Sequence, residues 1–301
     1  MTQREKHLQA LNSFVTRIQK DPHVVAILLY GSLAYGTIWE RSDIDVELIV
    51  RDGTEFAPYR DYVIEEEGIE ININAIGELA QFKNDLQKLR GGYDHGKYGG
   101  GILVYSKDES LYQLFEEARK IGEDDAPKAY AKKIGGLLDW MYKAEKQVTV
   151  LDNPLYAQRF LQLCAAVVAE MELIRHGENP NREAIIRAQE LNPRLMEELY
   201  VKPSTTVMSK ADVIDTLKRL DDYLMQHIDW WSKHIVRFLS DGEVKTVSHI
   251  HQHCGRVPVE YLVEKGVLIQ ATHPVRLFKN SKLTLDEKAY FYIAKEDHKN
   301  V

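Results

Sequence analysis

The stretch that decides the fold is LLYGSLAYGTIWERSDIDVELIV, Leu28 to Val50. An apolar run stops at Gly31-Ser32, and after ten further residues Asp43-Ile44-Asp45 opens a second apolar run. Aspartate is a poor strand residue, and residues i and i+2 of a strand point to one face. Two carboxylates held side by side repel each other unless positive charge lies between them. Magnesium takes oxygen ligands and commonly binds through one or two carboxylates together with substrate phosphates. Glycine lets the backbone approach closely, and turn amides with a serine hydroxyl can hold a phosphate. Asp43 and Asp45 are therefore candidate metal ligands, and Gly31 and Ser32 candidate phosphate contacts. The pattern describes a site for a magnesium–nucleoside triphosphate.

A third carboxylate on a neighbouring strand would complete a metal clamp or organise the attacking hydroxyl. Glu70 fits that place, because it opens the polar face of IEINI (residues 69–73), where Ile69, Ile71 and Ile73 face the other way. A solvated hairpin residue is the plainer reading of Glu70. Arg41, beside the aspartates, is a candidate phosphate or substrate contact, with a solvated role as the alternative.

Outward from this stretch, residues 3–20 read as an amphipathic helix, 24–30 and 43–50 as strands, and 59–66 with 69–76 as a hairpin turning at Glu67-Gly68. A helix over about 78–89 precedes GGYDHGKYGGG (residues 91–101) and a short strand, 102–105. That glycine-rich stretch lacks the helix a phosphate-binding loop opens, so it reads as a rim over the site, with His95 a possible contact. Beyond residue 110 strand signals give way to helical patterns over 110–121, 126–147, 154–176, 182–191 and 211–239, which suggest an antiparallel bundle. The last sixty or so residues read as helix, helix, short strands around THPVRLFKNSK and a final helix, the order of a winged helix. The domains are expected at 1–115, 116–239 and 240–301.

Composition bounds the reading loosely. The 301 residues are 44% hydrophobic with a formal net charge of −7, which disfavours a general nucleic-acid binder. The excess of basic over acidic residues beyond 236 is slight, weak for a DNA reader. No stretch reaches the apolar length of a membrane span, and the charged N-terminus shows no signal-peptide segment. Two distant cysteines, Cys164 and Cys254, fit a reducing cytoplasm rather than a disulfide framework. His249, His251, His253 and Cys254 lack the ligand spacing of a zinc site and read as a polar helix face.

YGSLAYG…SDIDVELIV resembles the hallmark of the polymerase-β-like nucleotidyltransferase superfamily. Together with GIEINI and DHGKYGGGILVYSKDES, it looks most like the antibiotic nucleotidyltransferases of the kanamycin and lincosamide type, over roughly residues 20–180. The resemblance implies an α+β fold: an N-terminal nucleotidyltransferase mixed sheet flanked by helices, then the helical bundle, with the winged-helix-like module added at the end. It implies two Mg²⁺ ions, ATP as co-substrate, and transfer of AMP to a hydroxyl of a small acceptor, cationic in the case of an aminoglycoside, with a homodimer among the assemblies it allows. It also implies a general base with a lysine four residues later, which LLDWMYKAEK supplies as Asp139 and Lys143; an ordinary exposed helix pair is the alternative. The kanamycin enzyme has glutamate where this chain has Asp45 and Asp139, which shortens the reach of the base. Two further readings stay open: a nucleotidyltransferase acting on protein or tRNA, as in toxin–antitoxin pairs, and a nucleotide-sensing DNA-binding regulator.

Overall fold

The computed structural model describes residues 1–89, 100–118, 120–180 and 183–293; His95 falls outside them. The chain divides into two compact units, Met1–Gly122 with Gly177–Arg182, and Glu123–His176 with Glu183–Val301. Among the described residues no helix is long and apolar enough to cross a membrane.

The first unit runs α1 (Gln3–Ile18), β1 (Val24–Tyr30), α2 (Ser32–Tyr35), β2 (Ile44–Val50), β3 (Tyr62–Glu66), β4 (Ile69–Glu78), α3 (Leu79–Leu89), β5 (Ile102–Ser106) and α4 (Ser110–Ala118). Its strands form one sheet in the order β3-β4-β2-β1-β5. β2 and β4 are parallel, and the other neighbours are antiparallel. β1 is buried from Val24 to Leu29, as a continuous apolar run in a central strand requires.

Alternation along the strands decides where the polar residues go. Ile44, Val46, Leu48 and Val50 of β2 and Ile71 and Ile73 of β4 pack with Leu11 and Phe14 of α1 on one face. Ile49, Phe82, Leu86 and Phe115 form the core on the opposite face, beneath α3 and α4. Asp45 and Glu47 of β2 share that second face with Ile49, at the end of the sheet where β1 stops and β2 begins. The sheet thus has one face closed by α1 and one whose end is left to polar side chains.

The second unit opens with an antiparallel pair, α5 (Ala126–Thr149) and α6 (Pro154–Arg175). Asn153 accepts a hydrogen bond from the Tyr156 amide (3.0 Å) and Pro154 takes the first turn, so the chain reverses in four residues. α7 (Ala184–Leu191), α8 (Pro193–Met196), a π turn at Glu197–Val201, α9 (Lys202–Thr205), α10 (Lys210–Gln226) and α11 (Ile228–Leu239) follow. The helical run expected over 211–239 is two helices. The backbone breaks at His227 (φ −117°, ψ 12°), and the buried Trp231 donates its Nε1–H to the Leu224 carbonyl at 3.1 Å.

The chain then forms β6 (Lys245–Thr246), α12 (Val247–Cys254), α13 (Val259–Glu264), β7 (Ile269–Val275) and β8 (Leu285–Phe291), with an antiparallel sheet in the order β6-β8-β7. Strand, helix, helix and hairpin in that order make a winged-helix-like module. The final helix expected at this end is corrected: residues 285–291 are β8, the middle strand of its sheet. Leu-Asp-Glu-Lys-Ala carries helix-forming residues, but pairing with β7 on one side and β6 on the other buries Ala289 and Tyr290 completely and overrides that propensity. The α+β architecture is otherwise as expected: a mixed sheet with helices, a helical region and a small C-terminal antiparallel sheet.

Candidate active site

The site grows from the end of β1. Tyr30 is the register partner of Asp45 across the β1–β2 ladder. The next residue, Gly31, has φ +74°, and a Cβ there would overlap the Asp45 carboxylate. Glycine is required twice at this position, by the left-handed backbone and by the close approach of the carboxylate. Ser32 follows, half-buried, and Tyr35 closes α2 with its ring lying where a Cβ of Gly100 would be.

The connection into β2 is a pinned turn. The Trp39 amide donates to Ser42 Oγ and the Ser42 amide to the Trp39 carbonyl, both at 3.1 Å. The fully buried His7 of α1 holds the Ser42 carbonyl through Nε2 at 2.9 Å. Asp43 therefore leaves a fixed point. Arg41 is exposed, its guanidinium 5.6 Å from the centre of the exposed Trp39 ring.

Asp43 and Asp45 are both half-buried, and each meets an amide from β4. Asn72 Nδ2 donates to Asp43 Oδ2 at 2.6 Å, and Asn74 Nδ2 to Asp45 Oδ1 at 2.7 Å. Glu47, two residues beyond Asp45 on the same strand face, is buried beside Tyr30 and Gly77. Burial pushes the Tyr30 hydroxyl up to about 12, against a hydrogen bond shared with Asn74 and with the charges of Glu47 and Asp45 adding to the rise.

The structure brings Gly31, Ser32, Asp43 and Asp45 together at one end of the sheet. Glu70 opens the β4 face but stays exposed, across from Glu65 of β3. Asp139 and Lys143 lie one turn apart on α5, in the second unit, both exposed, with the Lys143 ammonium 4.2 Å from the Trp140 ring centre. His249 and His253 pack on Phe238, edge-on at 5.4 Å and stacked at 4.0 Å.

Among the described residues no three His, Cys, Asp or Glu side chains gather closely enough to hold a metal ion. The donor set still fits a hard divalent cation, because two carboxylates on one face suffice where substrate phosphates supply further oxygens. The backbone at Gly31 leaves the room that such an approach needs. Sequence reasoning passed over Glu47, Asn72 and Asn74 as site residues. The period-two spacing 43-45-47 was the available signal for Glu47, and the polar side of IEININ for the two asparagines.

Residues 12–110 match the family model described as "Polymerase beta, Nucleotidyltransferase". Among solved structures, the crystal structure of a nucleotidyltransferase-like protein from Exiguobacterium sibiricum superposes with a TM-score of 0.61 at 13% identity, covering 95% of this chain and 99% of that one. That likeness is one of fold. No curated protein is significantly similar to this chain. The stretch that holds the Gly31-Ser32 turn and the Asp43–Asp45 pair thus lies within the part of the chain that matches a polymerase beta nucleotidyltransferase domain.

Proposed function

We propose that this chain moves AMP from ATP to a hydroxyl of a small molecule, with an aminoglycoside-like compound as acceptor and pyrophosphate as the second product. The observation that carries the reading is the pair of aspartates on one sheet face, each with its own amide donor, beside a glycine that clears the approach to Asp45. Asp43 and Asp45 would hold Mg²⁺, which when bound neutralises the triphosphate and eases attack at its α-phosphorus. Gly31 and Ser32 meet phosphate oxygens through a turn amide and a hydroxyl. Arg41 is exposed and available to a phosphate or an acceptor. The acceptor oxygen forms a bond to the α-phosphorus, the bond to the β-phosphate breaks so that pyrophosphate leaves, and the hydroxyl proton goes to a general base, the role that the resemblance gives to Asp139. General-base assistance is worth roughly 100- to 10,000-fold, the range of loss expected on replacing Asp139.

Incubation with MgATP and a panel of aminoglycosides and lincosamides tests this, read as a nucleotide-sized mass gain on one of them. No gain on any compound removes the small antibiotic acceptor. A macromolecular acceptor is the second reading, favoured by the loop between β7 and β8, where Arg276, Phe278, Lys279 and Lys282 are all exposed. Labelled ATP added to a cell lysate separates the two, since the label then appears on protein or RNA.

A further inference from the structure

We infer that Asn72 and Asn74 are positioning residues for the Asp43–Asp45 pair, Asn72 from its place in the β2–β4 ladder and Asn74 from a β-bulge, each giving one of the carboxylates a neutral donor. This rests on the metal–nucleotide reading of that pair.

The register of the parallel β2–β4 ladder makes the arrangement specific. Asn72 is the pairing partner of Asp45, yet its amide reaches diagonally to Asp43. Pairing then passes from Val46–Ile73 directly to Glu47–Ala75, so Asn74 is an inserted residue without a place in the ladder. A bulge re-aims a side chain, and bulges recur beside active sites. Here the re-aimed side chain donates to Asp45 and shares a hydrogen bond with Tyr30, the partner of Asp45 on the opposite strand. Three adjacent strands thereby fix one carboxylate plane.

The chemistry of the amides matters as much as their placement. A lysine or arginine at 72 or 74 would hold the carboxylates but cancel the charge that attracts a cation. A third carboxylate would attract a cation but repel its neighbours without one. Asparagine gives a donor without adding a positive charge, so each amide orients its carboxylate without itself opposing the approach of a cation. Groups that orient metal-binding side chains in this way typically account for about 10- to 100-fold in affinity or activity.

Mn²⁺ with ATP is the probe, read by calorimetry and by thermal unfolding with and without it. Asn72→Ala and Asn74→Ala should each weaken Mn²⁺–ATP binding by about 10-fold or more, with a smaller ligand-induced rise in Tm. Asn72→Asp is the discriminating variant: its Tm without metal should fall, and its rise on adding Mn²⁺–ATP should exceed that of the unmodified chain. Alanine variants that bind as the unmodified chain does, or an Asn72→Asp variant whose lost Tm the metal does not restore, overturn the inference. If the unmodified chain takes up no Mn²⁺–ATP, the reading beneath it fails as well.

Discussion

Two carboxylate sites in this molecule are built oppositely. Glu172 of α6 is completely buried and accepts from the Arg175 guanidinium at 3.0 and 3.1 Å, the Tyr223 hydroxyl at 2.8 Å and the Asn192 amide at 3.0 Å. Burial alone would raise its pKa, but the bonds from Arg175, Tyr223 and Asn192 outweigh it and hold the carboxyl below the usual range. Its charge is answered within the fold. Asp43 and Asp45 sit half-buried at the end of a sheet, and the donors described there are neutral amides. The Glu172–Arg175 pair lies within α6, and the bonds from Tyr223 of α10 and from Asn192 tie that helix to its neighbours. An amide donor orients a carboxylate without adding a positive charge to it.

The contrast can be broken at either site. The largest effect is expected from Asp45→Asn, which should lower pyrophosphate release by about 1,000-fold, several kcal/mol of transition-state stabilisation, with the circular dichroism spectrum unchanged. Residual activity within tenfold of the parent would place the aspartates outside the chemistry. Glu172→Leu should do the reverse. It strands Arg175, Tyr223 and Asn192 and should cost about 3 kcal/mol in denaturant unfolding, while leaving MgATP affinity intact. A stability loss at Asp45 matching that at Glu172 would erase the distinction.

Gly31→Ala sharpens the first site. The left-handed backbone should cost about 1–2 kcal/mol, and the added methyl should push the Asp45 carboxylate out of place, so turnover falls further than stability does. A further effect concerns acid. Burial pushes His234 of α11 down from 6.5 to about 4, so its neutral form is favoured in the fold. A histidine depressed in this way contributes stability that is present above pH 6.5 and lost as pH falls toward 4. The Glu172 contribution, also from a depressed group, should fade only at lower pH, as its carboxyl protonates. Melting curves across this range should show both losses, and His234→Gln should flatten the upper one alone.

Much of the first unit was legible because its signals are local. Val24–Tyr30 is a continuous apolar run, Gly31-Ser32 breaks it, and Asp43 and Asp45 stand out because aspartate is rare in a strand. The partners of those aspartates were not legible. Asn72 acts along a diagonal, and Asn74 acts from a bulge, and both depend on a register set by another strand. Glu47 stands inside an apolar run, and only its continuation of the 43-45 spacing marks it. Residues 193–205 lacked the long periodicity by which helices are found, and they form two short helices around a π turn. β8 was misread because pairing on both sides outweighs the helix-forming residues in Leu285–Phe291.

The insertion at residue 74 also bears on how such a strand can change. On either side of it the ladder reads as though nothing had been added: Val46 with Ile73, then Glu47 with Ala75. Excising Asn74 would leave an unbroken ladder, with the apolar residues of β4 still turned toward α1. The residue is therefore an appendage to the scaffold, a single codon whose gain or loss alters the acidic pair without disturbing the core. A one-residue deletion is thus as clean a perturbation here as a point substitution is elsewhere.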